Sequence, residues 1–285
     1  MSTTTESNYS LIDIFEDDDH VESEVFHEYT KLNRRNVQAI GRRNELIKKD
    51  PRILGMMARS WKTYPGAEVI ACPEYVAPDA GFADVMARRR STSSLGLDFT
   101  GESISFEQLA GMLRMAYGPT RSYKSPKSNT TQHFRATTSA GALYPTEIYV
   151  LVNNVEDLDP GLYHYRPIEH ELEAIRRDDV RQQFIDGTAY PDMAGTCSAA
   201  VLMTSMLRRT MSKYQHRGYR FALYDCGALL QSLYLCATAM DMDTCALGGV
   251  YDDEIAELLG VNPTDEPVQL GFLIGPRTAE LPSAP

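Results

Sequence analysis

Cysteine and histidine are sparse in this 285-residue chain, which has five cysteines, six histidines and no CxxC pair. A structural zinc site requires clustered cysteine and histidine ligands, so the spacing argues against one and we predict no metal centre. Without close pairing, the cysteines are interpreted as buried free thiols. They are Cys72, Cys197, Cys226, Cys236 and Cys245.

Basic residues are also fewer than acidic ones. The chain has 28 lysines and arginines but 39 aspartates and glutamates, which gives a net charge of −11. An acidic surface repels polyanions, so the composition argues against general binding to nucleic acid or to an anionic membrane. The N-terminus has no basic region followed by an apolar one. We therefore expect no signal peptide and a cytoplasmic protein.

The glycine-rich signatures of nucleotide binding are missing as well. Neither GxGxxG nor GxxxxGK[ST] occurs in the chain. A Rossmann-type or P-loop nucleotide site is therefore not indicated.

What the sequence does contain is a long apolar segment near its C-terminal end. From Phe221 to Met240 there is no proline, and the only charged residue is Asp225. Apolar residues recur at helical spacing and also fill the opposite side, which predicts a helix buried in a core or in an oligomer interface. Tyrosine, glutamine, serine and aspartate interrupt the segment too often for a membrane span.

The first 80 residues differ in composition from the remainder. Residues 1–25 are acidic and polar, residues 25–49 mix charged and apolar residues, and residues 50–80 contain four prolines. We predict a solvated start, a helix and an ordered but mostly irregular connector. Residues 1–80 would form an N-terminal extension, and residues 81–285 a main domain with a large core.

The main domain mixes helical and strand patterns without a regular βαβ order. Ser105 and Gln108 predict a capping box ahead of an amphipathic helix, and the polar residues 118–135 predict a surface loop. A short helix is predicted at 252–259. This mixture favours an α+β fold over a doubly wound sheet. Runs of β-branched and aromatic residues predict strands at 147–152, 161–165, 171–175, 199–205 and 268–274.

Three segments have the chemistry to bind a phosphorylated planar cofactor. Residues 88–91 (Arg-Arg-Arg-Ser) offer guanidinium and hydroxyl donors to a phosphate. The small residues of 139–145 (Ser-Ala-Gly-Ala-Leu-Tyr-Pro) let backbone groups approach a ligand closely. Gly248 and Gly249 form the third segment, with Arg277 as a further phosphate donor. Taken singly, the arginine run also fits a solvated basic face, and the small-residue segment an ordinary tight turn.

These segments and their order along the chain resemble those of a known family. Arg89-Arg90-Ser91 and residues 139–145 are followed by residues 219–227 (Tyr-Arg-Phe-Ala-Leu-Tyr-Asp-Cys-Gly) with Gln231, and by residues 247–252 (Leu-Gly-Gly-Val-Tyr-Asp). Together they resemble the nitroreductase superfamily, and within it the SagB-type (McbC-like) thiazole-forming dehydrogenases. Residues 26–32 (Phe-His-Glu-Tyr-Thr-Lys-Leu) are similar to the N-terminal signature of that subgroup.

The resemblance implies an FMN enzyme with a nitroreductase-like α+β fold, working as an intertwined homodimer with flavin at the subunit interface. Arg89, Ser91 and Arg277 would bind the phosphate or the ribityl chain. Residues 139–141 would lie against the edge of the flavin ring, with the paired glycines on its other side. The implied cofactor-binding set is Arg89, Arg90, Ser91, Ser139, Ala140, Gly141, Leu143, Gln231, Leu247, Gly248, Gly249 and Arg277.

The subgroup oxidises thiazolines and oxazolines in ribosomally made peptides, and the resemblance links Lys213 and Tyr214 to that catalysis. Aromatising the ring removes a proton from the carbon beside the carbonyl and a hydride from its neighbour, so a base is required. Free lysine is almost wholly protonated at neutral pH, so Lys213 needs desolvation or nearby cations such as Arg217 and Arg220. Tyr214 would orient the ring or relay the proton. On its residues alone, Lys213 also fits a surface lysine.

The implied partners are a precursor peptide bearing azolines and a YcaO-type cyclodehydratase that makes them, with oxygen reoxidising the flavin. The alternatives are an NAD(P)H-dependent nitro or quinone reductase and a flavin-poor structural or peptide-binding subunit. The chain departs from the family pattern in ways that permit loose FMN binding, or binding only in a complex. The departures are Ser93, Thr138, Asp225, Cys226, Ala228 and Ser232.

Overall fold

The structure is a computed structural model that describes residues 21–92 and 99–278. Its helices are α1 (Val21–Tyr29), α2 (Arg34–Lys49), α3 (Pro51–Ala58), α4 (Phe82–Arg88), α5 (Phe106–Tyr117), α6 (Arg181–Asp186), α7 (Pro191–Thr196), α8 (Leu207–Tyr214), α9 (Arg217–Ala239) and α10 (Asp252–Leu259). Its strands are β1 (Val69–Ala71), β2 (Ile104–Ser105), β3 (Pro119–Lys124), β4 (Thr131–Arg135), β5 (Thr146–Val152), β6 (Val155–Glu156), β7 (Gly161–Arg166), β8 (Glu171–Arg176), β9 (Ala199–Ser205), β10 (Met242–Leu247) and β11 (Val268–Pro276).

A seven-stranded sheet forms the centre of the fold, in the order β1-β8-β7-β5-β9-β11-β10, with all neighbouring strands antiparallel. Along β5, Ile148 and Val150 face one side and Tyr149 and Leu151 the other, as the two-residue period of a strand requires. Helices α5 and α9 cover the first side, while α6, α7 and α10 cover the second. The predicted α+β fold class is confirmed.

Two local predictions in the main domain are also confirmed. Ser105 Oγ accepts a hydrogen bond from Gln108 N, and the Gln108 side chain accepts one from Ser105 N, which completes the capping box of α5. The predicted apolar helix forms as α9 and begins four residues earlier, at Arg217. One face of α9 packs on the sheet, while Leu223 and Tyr224 on another face are 39% and 58% exposed.

One prediction of irregular structure is wrong, because residues 118–135 form a hairpin of β3 and β4 rather than a loop. The connector of residues 50–80 is mostly irregular, as predicted, and contains the short elements α3 and β1. Strand β10 and helix α8 had no predicted counterpart. Most side chains of the hairpin are exposed or half-buried, so no alternation of buried and exposed residues marked its strands.

The N-terminal extension contacts the main domain at several places. Strand β1 pairs with β8 at one edge of the sheet, and Phe26 of α1 packs edge-on against Tyr219 of α9. The acidic residues 16–19 lie outside the described residues, and the boundary at residue 80 stays a prediction. No helix within residues 21–92 or 99–278 has the length and apolar character needed to cross a bilayer. The same ranges hold no cluster of three or more metal-binding side chains.

A buried polar network joins the connector to the sheet. His164 Nε2 lies 2.8 Å from Glu147, and its Nδ1 lies 2.9 Å from Glu173. The backbone amides of Lys62 and Tyr64 each donate a 3.0 Å hydrogen bond to one of these carboxylates. Burial disfavours a charged imidazole, but the two carboxylates outweigh it and raise the pKa of His164 above its ordinary value. The imidazolium therefore balances two buried negative charges.

We expect His164→Gln to lower the free energy of unfolding by roughly 3–5 kcal/mol at about pH 5.5, because it leaves two buried carboxylates without their shared cation. Since the pKa of His164 is raised in the fold, its contribution is complete below the unfolded value of about 6.5 and is lost as the pH rises through the folded value. Urea unfolding should thus show a gap between wild type and variant that narrows at alkaline pH. His133→Gln on β4 is the control, and a gap independent of pH would contradict the assignment.

Candidate functional site

The segment 139–144, between β4 and β5, has an unusual backbone. Gly141, Ala142 and Tyr144 have positive φ angles of 68°, 54° and 42° around a single 3₁₀ turn. For a residue with a side chain, such a conformation costs roughly 1–3 kcal/mol and persists only where neighbouring groups enforce it. The contacts of this turn therefore decide its shape.

Asp225 of α9 is a principal partner of this turn. Its carboxylate accepts hydrogen bonds from Ser139 Oγ and, at 3.2 Å, from Ala140 N. Ser139 Oγ in turn accepts from Tyr144 N at 2.8 Å, so Asp225 fixes both ends of the turn. Burial raises the pKa of Asp225 to about 6, although the hydrogen bonds from Ser139 and Ala140 favour the carboxylate.

Lys213 and Tyr214, the last residues of α8, reach the same turn. A Cβ atom at Gly141 would lie 2.5 Å from Tyr214 Oη and 2.6 Å from Lys213 Nζ. The two polar atoms therefore lie against the Gly141 backbone, where only glycine leaves them room. The structure thus brings the predicted catalytic pair to the predicted small-residue segment.

Arg209, one helical turn before Lys213, fixes the position of α8. Its guanidinium forms a 2.5 Å ion pair with the buried Glu147 and donates a 2.9 Å hydrogen bond to Tyr144 O. Burial raises the pKa of Glu147, but Arg209 and His164 outweigh it and lower that pKa to about 2. Sequence reasoning missed Arg209, because nothing local to α8 points to a carboxylate on β5.

The arginines expected to neighbour Lys213 have their hydrogen bonds elsewhere. Arg220 donates to Thr30 Oγ1 and to His27 O, each at 2.7 Å, and Arg217 donates to Thr30 O at 3.3 Å. Both guanidinium groups therefore satisfy polar groups at the C-terminal end of α1. We assign them to the docking of α1.

A second cluster lies at the C-terminal end of α9. Arg88 and Arg277 both donate to Asp241 Oδ1, at 2.8 and 2.7 Å. This shared carboxylate places the predicted phosphate donor Arg277 beside the arginine run that begins at the last residue of α4.

Arg89 and Ser91 in this cluster contact Tyr234 of α9. The Arg89 guanidinium lies 5.2 Å from the centre of the Tyr234 ring, and Ser91 Oγ lies 2.9 Å from Tyr234 Oη. Tyr234 Oη accepts from Ala246 N, which ties the cluster to β10. Tyr234 follows Asp225 by nine positions along α9, which corresponds to about 14 Å at a rise of 1.5 Å per residue. The two predicted halves of the site are therefore held at a fixed distance along one helix.

The other residues predicted to bind the cofactor differ in their exposure and in the space around them. Gln231 is exposed on α9, whereas the side chains of Leu143 and Leu247 are buried among other protein side chains. A Cβ atom at Gly248 would meet nothing within 4 Å, so this position is open to a ligand. At Gly249 a Cβ atom would lie 2.6 Å from the Tyr190 ring, so internal packing alone accounts for that glycine.

Two observations fit the phosphorylated, planar cofactor that the resemblance implies. In the part of the chain that the structure describes, Arg89 and Arg90 have no carboxylate partner, which leaves their charges available to a phosphate. A cavity of about 440 Å³ adjoins the strained turn and is lined by Thr138, Ser139 and Gly141, among others. The residues present therefore suit both ends of such a ligand.

The structure shows the contacts of some residues that depart from the family pattern. Thr138 lines the cavity, and Ser232 Oγ accepts a 3.1 Å hydrogen bond from Thr137 Oγ1. Asp225 binds the strained turn, whereas Ser93 lies outside the described residues. Sequence reasoning noted Asp225 as a departure and as the sole charge in the apolar helix, but did not identify it as the partner of the turn.

We expect Asp225→Ala to loosen the turn, because Ser139 Oγ and Ala140 N lose their acceptor. With a net hydrogen bond worth about 1–1.5 kcal/mol, the amides of Ala140 and Tyr144 should exchange roughly five- to tenfold faster. Hydrogen exchange followed by NMR on the full chain at neutral pH measures this. Asp225→Asn retains an acceptor and should keep most of the protection. Unchanged exchange in the alanine variant would show that other contacts hold the turn.

Comparisons with known proteins fit this geometry. Residues 86–275 match the model of the nitroreductase family. A Methanocaldococcus jannaschii protein named as a nitroreductase is 29% identical over 178 residues, which cover 62% of this chain and 83% of that protein. The microcin B17-processing protein McbC of Escherichia coli is 27% identical over 130 residues, 44% of this chain and 47% of McbC. The trifolitoxin-processing protein TfxB of Rhizobium leguminosarum is 26% identical over 151 residues, 51% of this chain and 40% of TfxB. The matches thus span less than half the length of McbC and TfxB.

Solved structures share the fold. A protein from Anabaena variabilis, described as a nitroreductase, superposes with a TM-score of 0.61 at 27% identity, over 75% of this chain and 42% of that chain. The E. coli microcin synthetase McbBCD complex superposes with a TM-score of 0.57 at 21% identity, over 77% of this chain and 79% of that chain. Because the family model matches well over half of its residues, the chain belongs to the nitroreductase family.

Proposed function

We propose that this protein is an FMN-dependent dehydrogenase that oxidises thiazolines and oxazolines in ribosomally made peptides to thiazoles and oxazoles. One observation carries the proposal: Lys213 Nζ and Tyr214 Oη lie together against Gly141, which lines a cavity of suitable size for a planar ligand. A lysine and a phenol at one point offer a proton acceptor and an orienting hydroxyl to a substrate bound there.

The relatives support a peptide as the substrate. McbC and TfxB are named for processing microcin B17 and trifolitoxin, and the McbBCD complex has truncated pro-MccB17 bound. By analogy we infer an azoline-bearing precursor peptide as substrate and a YcaO-type cyclodehydratase as the partner that forms the azolines.

The reaction assigns a separate task to each residue of the pair. When bound, FMN would accept the hydride that leaves one ring carbon, and oxygen would then take the two electrons from the reduced flavin. Lys213 Nζ takes the proton from the ring carbon beside the carbonyl, and the released electron pair forms the new ring double bond. Tyr214 Oη holds the azoline in the orientation that this proton transfer needs. Asp225 keeps the Ser139–Gly141 side of the site in shape.

The cofactor contacts follow from the two clusters along α9. Arg89 and Ser91 would bind the phosphate end, with Arg277 nearby and held by Asp241. The 139–141 backbone would line one side of the ring, and the open space at Gly248 the other. The proposed contacts use hydrogen-bond donors and open space that the structure already contains.

An intertwined homodimer is part of the proposal. Leu223 and Tyr224 are exposed on α9 in the single chain, next to Gly227, and the helix was predicted to be buried in a core or in an oligomer interface. Exposed large apolar side chains grouped on one helix face are typical of an interface between chains. A second copy would cover this face.

We expect Leu223→Asp with Tyr224→Asp to reduce the mass in solution from twice 31.9 kDa to 31.9 kDa, because two carboxylates in the interface would lose their hydration. Light scattering coupled to size exclusion measures the mass. Val76→Asp, which changes an 80% exposed residue outside α9, should leave the mass unchanged. A monomeric wild type would exclude the dimer.

We expect anaerobic mixing with an azoline-containing peptide to bleach the flavin absorbance at about 450 nm, since hydride transfer reduces the ring. Lys213→Ala should slow this bleaching at least about 100-fold with flavin content unchanged, as the loss of a general base predicts. Lys124→Ala on β3 is the matched control and should bleach at the wild-type rate. Stopped-flow absorbance measures all three proteins.

The two rival functions give different outcomes in the same experiment. A flavin that ignores the azoline but bleaches with NAD(P)H, and turns over a nitroaromatic, would identify a nitro or quinone reductase. A purified protein that is colourless and binds no added FMN would identify a flavin-poor peptide-binding or structural subunit.

A further inference from the structure

A second depression, separate from the cavity beside the strained turn, lies between the N-terminal extension and α8. It has a volume of about 530 Å³ and is formed by α2, α3 and α8. Its floor is apolar, with Leu46, Ile47, Met56 and Met57 among its side chains. Leu46 and Met56 are each 67% exposed, so their apolar surface is available to a ligand. We call this depression the extension groove.

The charge of the extension groove differs from that of the whole chain. Four arginines line it and none of its lining residues is acidic, although the chain has a net charge of −11. Arg208 pairs with Asp265, and Arg209 with Glu147. Arg43 and Arg59 have no carboxylate partner within residues 21–92 and 99–278. The groove therefore offers two uncompensated guanidinium groups at the edge of an apolar floor.

The extension groove adjoins the proposed reaction site. Its lining includes Leu143, two residues after Gly141, and Ser212, the residue before Lys213. A chain lying along the groove would therefore reach the lysine from the side of the N-terminal extension. Since α8 forms part of both sites, their positions relative to each other are fixed by one helix.

We propose that the extension groove binds the stretch of the peptide substrate that flanks the azoline, and that it selects stretches with apolar and acidic side chains. This inference rests on the proposed function, because it names a second region of the same substrate. Apolar side chains of the peptide pack on Leu46 and Met56, and methionine adapts readily to different partners. Carboxylates of the peptide pair with Arg43 and Arg59, whose planar guanidinium groups suit bidentate binding. The apolar floor favours this occupant over a nucleic acid, which would present phosphates without apolar side chains.

The test uses two synthetic peptides that share one thiazoline. The first has a fluorescein-labelled flank of alternating leucine and glutamate, and the second has the same flank with lysine in place of glutamate. Fluorescence anisotropy with the full-length holoprotein gives the dissociation constants, and stopped-flow bleaching gives the rates. We expect the acidic flank to bind at least tenfold more tightly than the basic one.

Charge-reversal variants at Arg43 of α2 and at Arg59, the residue after α3, test whether these two arginines select the acidic flank. Arg43→Glu with Arg59→Glu should abolish the preference for the acidic flank while leaving unchanged the bleaching rate of a minimal thiazoline that lacks a flank. Arg35→Glu with Arg42→Glu is the matched control, because both arginines are exposed on α2 outside the groove and the double variant makes the same change of charge. The control should keep the full preference.

The outcomes separate this inference from the proposed function. Binding that depends on Arg43 and Arg59, without bleaching by either peptide, would support the groove and overturn the oxidation. Bleaching with equal affinity for both flanks, or an equal effect of the Arg35, Arg42 variant, would overturn the groove and leave the oxidation intact. A change of mass in the Arg43, Arg59 variant would assign the groove to contact with a second copy and would also overturn the inference.

Discussion

The arrangement of the site depends on one buried carboxylate, Glu147 of β5. It accepts a hydrogen bond from the backbone of Lys62, binds His164 of β7 and forms an ion pair with Arg209 of α8. A buried carboxylate is stable only while its partners stay in place, so the three elements are held in one geometry. The position of Lys213 is thereby set by the interior of the sheet, through a helix only eight residues long. A short surface helix without such an anchor would not hold a catalytic atom accurately.

Helix α9 sets the second constraint. It contacts the strained turn through Asp225, the arginine run through Tyr234 and the helix α1 through Arg220. Because a helix is stiff over this length, these contacts cannot move independently. The same helix also presents its exposed apolar face to solvent in the single chain, so any partner that covers this face would act on all three contacts at once.

The parts of the fold that could be predicted from sequence are those with a local pattern. The apolar period of α9, the capping box of α5 and the β-branched runs of β5 and β9 are each visible within a few residues. The hairpin of β3 and β4 was not predictable in this way, because it has no buried face to produce a pattern.

The site was predictable only where the family resemblance supplied positions. It identified Lys213, Tyr214 and the turn at Gly141, which the structure brings together. It did not identify the partners that shape them, since Asp225 lies 86 residues from Ser139 and polar pairs at such separation leave no periodic signal. The hydrogen bonds of Arg217 and Arg220 to the end of α1 were not predictable either, because charge alone does not say which carbonyl a guanidinium will reach.

The attachment of the N-terminal extension has a consequence for the order of events during synthesis. Lys62 binds Glu266, 204 residues later, and Thr30 binds Arg220, 190 residues later. The extension therefore leaves the ribosome well before its partners are made. Helix α2 buries no side chain of its own, so little holds it before α8 has formed. Contacts so distant in sequence close large loops and form slowly, so the extension is made before its partners and yet is among the last segments to fold.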